Sequence, residues 1–243
     1  MEITSLKNNK VKYWKQLEDK KFRDSENKFM VEGDHLVNEA LKSNLLLEVI
    51  TTLDSDYPVD TYHVNNDIMK KISNQKSAPN IIGVCQKIQE KDITGNVLIL
   101  DEIQDPGNLG TIIRSSIAFD FKTIILVNNC VDLYNEKVIR SSEGMIFNSN
   151  VIRSDINSIL AKLKQNNYII YGTSLNNGIS PRNIAKNENV AIIIGNEGKG
   201  MSEKCQNLCD KFITLKMNES CESLNAGIAA SIIMYEIYDN KEW

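Results

Sequence analysis

From residue 97 onward, short apolar runs alternate with stretches in which apolar residues recur at helical spacing. The apolar runs predict six strands, at Val97–Leu100, Thr123–Val127, Asn150–Arg153, Tyr168–Thr173, Val190–Gly195 and Phe212–Leu215. The helical stretches are Leu109–Phe119, Asn135–Gly144, Ile156–Gln165 and Leu224–Tyr238. Strands that are apolar throughout are buried on both faces, so the fold class predicted here is α/β, with a parallel sheet covered by helices.

Residues before this region follow a similar but shorter alternation, which predicts a small α/β domain. Its apolar runs and helical stretches are Lys28–Glu32, Asp34–Lys42, Leu45–Thr51, Asp67–Ser73 and Ile81–Gln86. A polar stretch over residues 86–96 ends in Gly95-Asn96 and interrupts the periodicity. We therefore predict one domain over residues 1–88, a linker at about 89–96 and a second domain over residues 97–243.

Composition indicates a folded protein that does not enter a membrane. The chain has 243 residues, of which 42% are hydrophobic, enough for a sizeable core. Its longest apolar stretches, residues 124–127 and 190–194, are far shorter than the roughly 18 residues that a membrane helix needs. The first 30 residues lack the apolar centre of a secretory signal, so we expect a cytoplasmic location.

Five cysteines are widely spaced and odd in number, which favours reduced thiols over a disulfide framework. Cys205 and Cys209 lie four residues apart, as two ligands of a zinc site can. Such a site needs two further ligands at recognisable spacing, and His35 and His63 are the only histidines. Core packing is therefore favoured, and we predict no metal.

The basic residues are concentrated at the amino terminus, although the net charge is −4. The first 30 residues contain eight Lys or Arg and five acids, with aromatic residues between them. This pattern fits an RNA-binding surface and an amphipathic helix equally well. Candidates for phosphate contacts are these basic residues and Lys70, Lys71 and Lys76, whereas Lys199 and Glu143 are expected to be solvated, and Trp14 and Trp243 to be packing residues.

Three segments follow predicted strands, at the edge where ligands bind in parallel sheets. The first combines a Pro106-Gly107 turn with Asn108 and with Arg114, which lies one helical turn after Gly110. The second, residues 195–202, reads GNEGKGMS and matches neither a P-loop nor a dinucleotide fingerprint. The third joins Ser223-Leu224-Asn225 to a helix rich in small residues, which predicts a close contact with another helix or with a partner chain.

Together these segments resemble the signature motifs of the SpoU (TrmH) family of RNA ribose 2′-O-methyltransferases, in the SPOUT superfamily. The resemblance covers residues 105–238, and residues 1–88 are similar in layout to the L30e-like substrate-binding domain of many members. It implies a knotted SPOUT-type catalytic domain, the cofactor S-adenosylmethionine, an RNA substrate, preferably ribosomal, and a homodimer. The cofactor-binding residues that it implies are Gly195, Gly200, Leu215, Met217 and Leu224.

By the same resemblance, the catalytic residues are Arg114, Asn108, Glu197, Ser223 and Asn225. A guanidinium does not normally lose its proton, so we interpret Arg114 as a ligand of a phosphate or of the developing alkoxide rather than as a base. Taken singly, Asn108 could be only a helix cap, Glu197 a surface carboxylate, and Ser223 with Asn225 a helix start. Their joint spacing at three strand ends favours a function.

Two positions depart from the family pattern, and several alternative functions stay open. Lys216 replaces a common proline and Glu219 a common glycine, which changes the expected conformation of that loop. The alternatives are a transfer RNA 2′-O-methyltransferase, a noncatalytic RNA-binding module that kept the fold, and a base-modifying methyltransferase. A phosphate-transferring enzyme is disfavoured because the chain has no P-loop lysine.

Overall fold

The structure is a computed structural model that describes residues 1–242, so Trp243 and its predicted packing role lie outside the described residues. The chain divides into two compact units. The first consists of residues 1–89 together with residues 134–147, and the second of residues 90–133 and those from 148 onward. Residues 134–147 follow the first strands of the second unit in sequence, yet their contacts are with the first unit.

The first unit contains a five-stranded mixed sheet. Its elements up to residue 89 are β1 (Glu2–Ile3), α1 (Asn9–Gln16), α2 (Lys20–Glu26), β2 (Lys28–Glu32), α3 (Asp34–Lys42), β3 (Leu46–Thr51), β4 (Asp60–Val64), α4 (Asn66–Ile72) and β5 (Ile81–Gln86). The strand order is β1-β4-β3-β5-β2, and β5 runs antiparallel to both of its neighbours. The predicted α/β character of this region is confirmed, while β1 and β4 were not predicted.

The second unit contains a six-stranded sheet in which every pair of neighbours is parallel, as predicted. Elements after residue 89 are β6 (Val97–Asp101), α5 (Pro106–Ala118), β7 (Thr123–Val127), α6 (Glu136–Ser141), β8 (Asn150–Arg153), α7 (Ile156–Gln165), β9 (Tyr168–Thr173), β10 (Asn189–Ile194), α8 (Glu203–Leu208), β11 (Lys211–Ile213) and α9 (Ala226–Glu242). Of these, α6 belongs to the first unit. The strand order is β11-β9-β10-β6-β7-β8.

Burial explains why these strands form. All residues of β6 and β7 are buried, and in β10 only the first is exposed. One core cluster of this unit joins strand residues such as Ile99 and Ile193 to Ile156, Leu160 and other residues of α7. Each buried methylene contributes about 0.8 kcal/mol to the stability of the fold. The buried central strands are therefore held firmly in place, and so are the first residues of the loops at their carboxyl ends.

The amino-terminal segment carries a buried tryptophan and most of its lysines at the surface. Trp14 is fully buried against Tyr62, which confirms its packing role. The first 30 residues form two short helices, α1 and α2, rather than one. Their apolar residues pack inward, while most of their lysines stay at the surface.

Candidate functional site

The three predicted segments meet through a chain of side-chain hydrogen bonds. Asn108 lies in the first turn of α5, and its Nδ2 donates to Oε1 of Glu197 over 2.6 Å. Asn225 donates from Nδ2 to Oδ1 of the same Asn108 over 2.9 Å. Asn108 therefore links the loop after β10 to the start of α9. Asn108 itself lies on the helix that follows β6.

Each member of this chain is held by its local backbone. Asp105 caps α5 by accepting from the amide of Asn108 over 2.9 Å, so the cap is Asp105, and the interpretation of Asn108 as the cap was wrong. Asn225 accepts from the amides of Gly227 and Ile228, at 3.0 and 3.2 Å, so it does cap α9. Because its oxygen caps the helix, its nitrogen is directed to Asn108.

The glycine-rich loop forms a compact turn that favours glycine at position 200 and has no room for a side chain at position 195. Asn196 and Gly200 exchange backbone hydrogen bonds, both 2.9 Å long, and Gly200 has a φ of +69°. A Cβ on Gly195 would lie 2.2 Å from the amide nitrogen of Met201, which is closer than atoms can approach. Asn196 Oδ1 also accepts from the amides of Gly198 and Lys199, which closes the turn.

A buried carboxylate that the sequence analysis did not single out anchors this loop. Asp101 ends β6 and is 1% exposed. It accepts a 2.7 Å hydrogen bond from the amide of Ser202 and a 2.5 Å hydrogen bond from Nδ2 of Asn128. An acid at the end of an otherwise apolar strand is the signal that could have identified it, since a buried carboxylate needs partners.

A cavity of about 400 Å³ lies between the glycine-rich loop and the segment that leads into α9. Ligand-binding pockets commonly measure about 300–1,000 Å³, so a small molecule fits there. Its lining includes all five predicted cofactor-binding residues, together with Glu197 and Ser223. These five residues are Gly195, Gly200, Leu215, Met217 and Leu224.

The lining combines apolar walls with charges of both signs. Ile194, Ile213 and Ile233 contribute apolar surface, while Glu197, Glu222 and Lys199 bring charges to the same cavity. S-adenosylmethionine carries a flat aromatic base, a sulfonium, an ammonium and a carboxylate. Carboxylates complement the two cations, and the lysine complements the carboxylate. The residues present therefore fit this cofactor.

Arg114 lies apart from these hydrogen-bonded residues and is not part of the cavity lining. It lies on α5 six residues after Asn108, which places it about 9 Å further along the helix axis. Its side chain is exposed, and it makes no ion pair or hydrogen bond with any residue whose side chain the structure describes. The structure thus joins Asn108, Glu197 and Asn225 directly and leaves the guanidinium available.

Small residues of α9 serve the packing of that helix on α5. Gly227 sits beside Asn108 and Thr111, where a Cβ would meet side-chain atoms at 3.5 Å. Ser231 donates to Oγ of Ser115 over 2.8 Å. The close contact predicted for this helix is therefore made within the chain. Three of its larger residues, Ile228, Ile232 and Tyr235, form an exposed apolar stripe.

Most of the remaining candidate residues lie at the protein surface. Ser223 is exposed at the cavity, and Lys216 and Glu219 are exposed on the same loop. Glu197 is half-buried and hydrogen-bonded, so it is not a free surface carboxylate, whereas Lys199 is exposed as expected. Glu143 is exposed in the first unit.

Cys205 and Cys209 are packing residues. Cys205 is buried within the core of the second unit, and Cys209 packs against the same cluster. Burial raises the pKa of Cys205 to about 12 and that of Cys209 to about 11, so both stay protonated thiols at neutral pH. All five cysteines are free, and among the described residues no group of three or more His, Cys, Asp or Glu is arranged to hold a metal ion.

Comparison with known families adds to this geometry. The family described as SpoU rRNA Methylase matches residues 95–235, which include the cavity and the hydrogen-bonded chain of Asn108, Glu197 and Asn225. A second family, described as MRM3-like substrate binding domain, matches residues 8–83.

Individual relatives resemble the chain over nearly its whole length. The 23S rRNA (guanosine(2553)-2'-O)-methyltransferase RlmP of Bacillus subtilis strain 168 is 36% identical, over 97% of this chain and 98% of its own. An rRNA methyltransferase from Sinorhizobium meliloti with bound AdoMet (S-adenosylmethionine) has a TM-score of 0.87 and 25% identity, over 98% of this chain and 97% of its own. The SpoU methyltransferase AviRb from Streptomyces viridochromogenes, also with AdoMet, shares the fold with a TM-score of 0.87 and 20% identity, over 96% and 98% of the two chains.

Proposed function

Because the chain belongs to the SpoU rRNA methylase family, we propose that it methylates a ribose 2′-hydroxyl of 23S ribosomal RNA. The predicted family is thereby confirmed, and the chain is an S-adenosylmethionine-dependent RNA methyltransferase. The observation that carries the proposal is the cavity of about 400 Å³ beside the hydrogen-bonded chain of Asn108, Glu197 and Asn225. A noncatalytic module and a transfer RNA substrate are both less favoured, since the relative that matches over the full length is named as a 23S rRNA enzyme.

Residues of the cavity wall would hold the cofactor. We assign its adenosine part to the wall formed by Gly195, Leu215 and Leu224, with Gly200 and Met217 completing the enclosure. When bound, S-adenosylmethionine supplies an electrophilic methyl group on a sulfonium. The carboxylate of Glu197 faces the same cavity and is fixed in place by Asn108, so its charge needs no reorientation when a cation enters.

Arg114 would bind the RNA beside the reacting hydroxyl. Its guanidinium is permanently charged and presents a planar set of donors that matches a phosphate or a developing alkoxide. Asn108, Asn225 and Ser223 would orient the ribose and this arginine, which assigns a task to every candidate at the three strand ends. Correct orientation of two reacting groups alone can lower a barrier by several kcal/mol.

We also propose that the chain is a homodimer with a knotted catalytic domain. The apolar stripe of Ile228, Ile232 and Tyr235 supports the dimer, because each of these side chains is between 37% and 50% exposed on one helix. A second copy would cover this stripe and would approach Arg114 on the adjacent α5. The knot is implied by family membership, with the segment from residue 195 to α9 as its location.

The first domain and the location of the protein complete the proposal. Residues 1–88 would bind RNA and residues 97–243 would carry catalysis, in keeping with the two families matched. A cytoplasmic location is proposed because ribosomal RNA would be the substrate. Within residues 1–242, the helices are too short or too polar to span a bilayer.

Labelling identifies both the RNA and the modified atom. The protein is incubated with S-adenosylmethionine carrying a labelled methyl group and with total RNA, and the products are mapped for 2′-O-methylation. We expect the label in 23S ribosomal RNA, at a ribose 2′-oxygen. Label in transfer RNA or on a base would overturn the proposed substrate, and a cofactor-binding protein that labels no RNA would overturn the proposed reaction.

A further inference from the structure

Two groups of lysines in the first unit differ in whether a carboxylate lies beside the ammonium. In the first group each ammonium is paired with a carboxylate: Lys10 with Glu48, Lys15 with Glu18, Lys20 and Lys87 with Asp24, and Lys42 with Glu39. Lys7, Lys12, Lys70 and Lys71 are exposed, and none has an ion pair among the residues whose side chains the structure describes. These four positive charges are therefore not neutralised within the chain.

Among the exposed lysines of this unit that have no ion pair with a described side chain, four lie on or just before two adjacent helices: Lys7 and Lys12 at α1, and Lys70 and Lys71 on α4. Helices α1 and α4 pack together through one core cluster, to which Val11 and Trp14 contribute from α1 and Ile68 and Ile72 from α4. Packed helices lie about 8–10 Å apart, which is close to the screening length of physiological salt. Together, Lys7, Lys12, Lys70 and Lys71 form what we call the α1–α4 surface.

A hydrogen bond ties Lys71 of α4 to the backbone just before α1. Nζ of Lys71 donates to the carbonyl of Leu6 over 3.0 Å, which brings the ammonium next to Lys7 in the chain. Asp67 is the acid on α4, one turn before Lys70 and Lys71, and it is exposed without an ion pair among the described side chains. The α1–α4 surface therefore stays positive even when Asp67 is counted.

This local charge differs from the charge of the rest of the protein. The first unit contains equal numbers of basic and acidic residues, so the net charge of −4 arises entirely in the second unit. A chain with this balance repels a polyanion at long range. Attraction of RNA then depends on a local surface where several cations are close together and unpaired.

We propose that the α1–α4 surface binds the phosphate backbone of the RNA substrate, an inference that rests on the proposed function. Phosphate contacts orient a nucleic acid without reading its sequence. The surface thus anchors the RNA on the first unit, while selection of the nucleotide takes place at the cavity of the second. The same reasoning disfavours the paired lysines, because a carboxylate beside each ammonium offsets its charge.

Charge-matched variants of the full chain test this inference. The test variant is Lys7→Gln/Lys12→Gln/Lys70→Gln, which spares Lys71 because of its bond to the backbone. The control is Lys15→Gln/Lys20→Gln/Lys42→Gln, which removes the same charge from paired positions. Binding of transcribed 23S ribosomal RNA is measured over a series of salt concentrations, and methyl transfer gives KM and kcat.

The expected result separates the two variants. In the test variant, the slope of log affinity against log salt falls by about 0.7–0.9 for each phosphate that is no longer neutralised, so by about 2–3 in all. KM for RNA rises at least tenfold while kcat is retained, and the control stays close to wild type. Equal losses of affinity in both variants, or no loss in the test variant, overturn the inference.

Failure of the proposed function would look different. If the wild-type protein binds this RNA but does not methylate it, the proposed function fails whatever the lysine variants do. If the wild type methylates the RNA and the test variant keeps its KM and its salt slope, the inference about the α1–α4 surface fails alone.

Discussion

The proposed role of Arg114 requires a guanidinium that is free to bind a phosphate or an alkoxide. Arg114 is exposed and unpaired among the described side chains, whereas the neighbouring polar residues are already bonded to one another. Sequence motifs identified Arg114, Asn108, Glu197 and Asn225, because their identity and spacing can be read directly. They did not reveal Asp101, because its importance arises from burial against Ser202 and Asn128, which lie far away in sequence.

Replacing Arg114 by lysine keeps the charge and removes the planar pair of donors. We expect methyl transfer to fall about 10²–10³-fold, as when one preorganised donor to a developing charge is removed. Affinity for S-adenosylmethionine should not change, since Arg114 does not line the cavity. Steady-state kinetics with calorimetry measures both. Activity within about twofold of wild type would rule out both roles considered for this arginine.

Helix α9 shows how one residue can serve both an element and the site. Asn225 caps the helix through its oxygen and holds Asn108 through its nitrogen. Serine caps helices nearly as well as asparagine but has no amide nitrogen with which to reach Asn108. The two contributions of Asn225 can therefore be separated by choosing the replacement.

Two substitutions at this position make the separation measurable. Asn225→Ala should lower the free energy of unfolding by about 1 kcal/mol and also reduce activity, because both bonds are removed. Asn225→Ser should retain most of the stability and still lose activity. Denaturant unfolding and methyl-transfer assays give the comparison. If Asn225→Ser were fully active, the bond to Asn108 would have no part in catalysis.

Elements were predictable where burial alone determines them. Strands such as Thr123–Val127 and Tyr168–Thr173 agree with the prediction to the residue, because continuous apolar runs mark strands buried on both faces. Strand β4, with the sequence DTYHV, alternates polar and apolar residues over too few positions to stand out. Helix α8 was not predicted either, since six residues give little periodicity. Neither element could be derived without its long-range contacts.

For the molecule as a whole, the family could be predicted from sequence, but part of the chain's organisation could not. Residues 134–147 follow β7 in sequence and were predicted to belong to the second domain, yet they pack with the first unit. Phe29 of β2, for example, contacts the rings of Tyr134 and Phe147 at centroid distances of 4.6 and 6.2 Å. Contacts between residues this far apart in the chain cannot be read from the local sequence.

The proposed dimer is also a property of the whole molecule. Ile232→Asp places a charge in the apolar stripe of α9, and burying an unpaired charge costs several kcal/mol. We expect the dimer to dissociate at least about 100-fold more readily, as measured by sedimentation. Leu53→Asp, at an apolar residue of the first unit that is exposed to a similar degree, is the control and should sediment as wild type. A wild-type protein that sediments as a monomer would refute the dimer.

Calorimetric titration of S-adenosylmethionine into the wild-type chain and into Gly195→Ala is the most direct test of whether the cavity binds the cofactor. A Cβ at this position would lie 2.2 Å from the amide nitrogen of Met201, so the loop must shift, while thermal unfolding reports whether the variant remains folded. We predict one site per wild-type chain and an affinity at least about tenfold weaker in the folded variant, a loss of about 1.4 kcal/mol. A folded wild-type protein that binds no cofactor, or a folded variant that binds it equally well, would contradict this assignment.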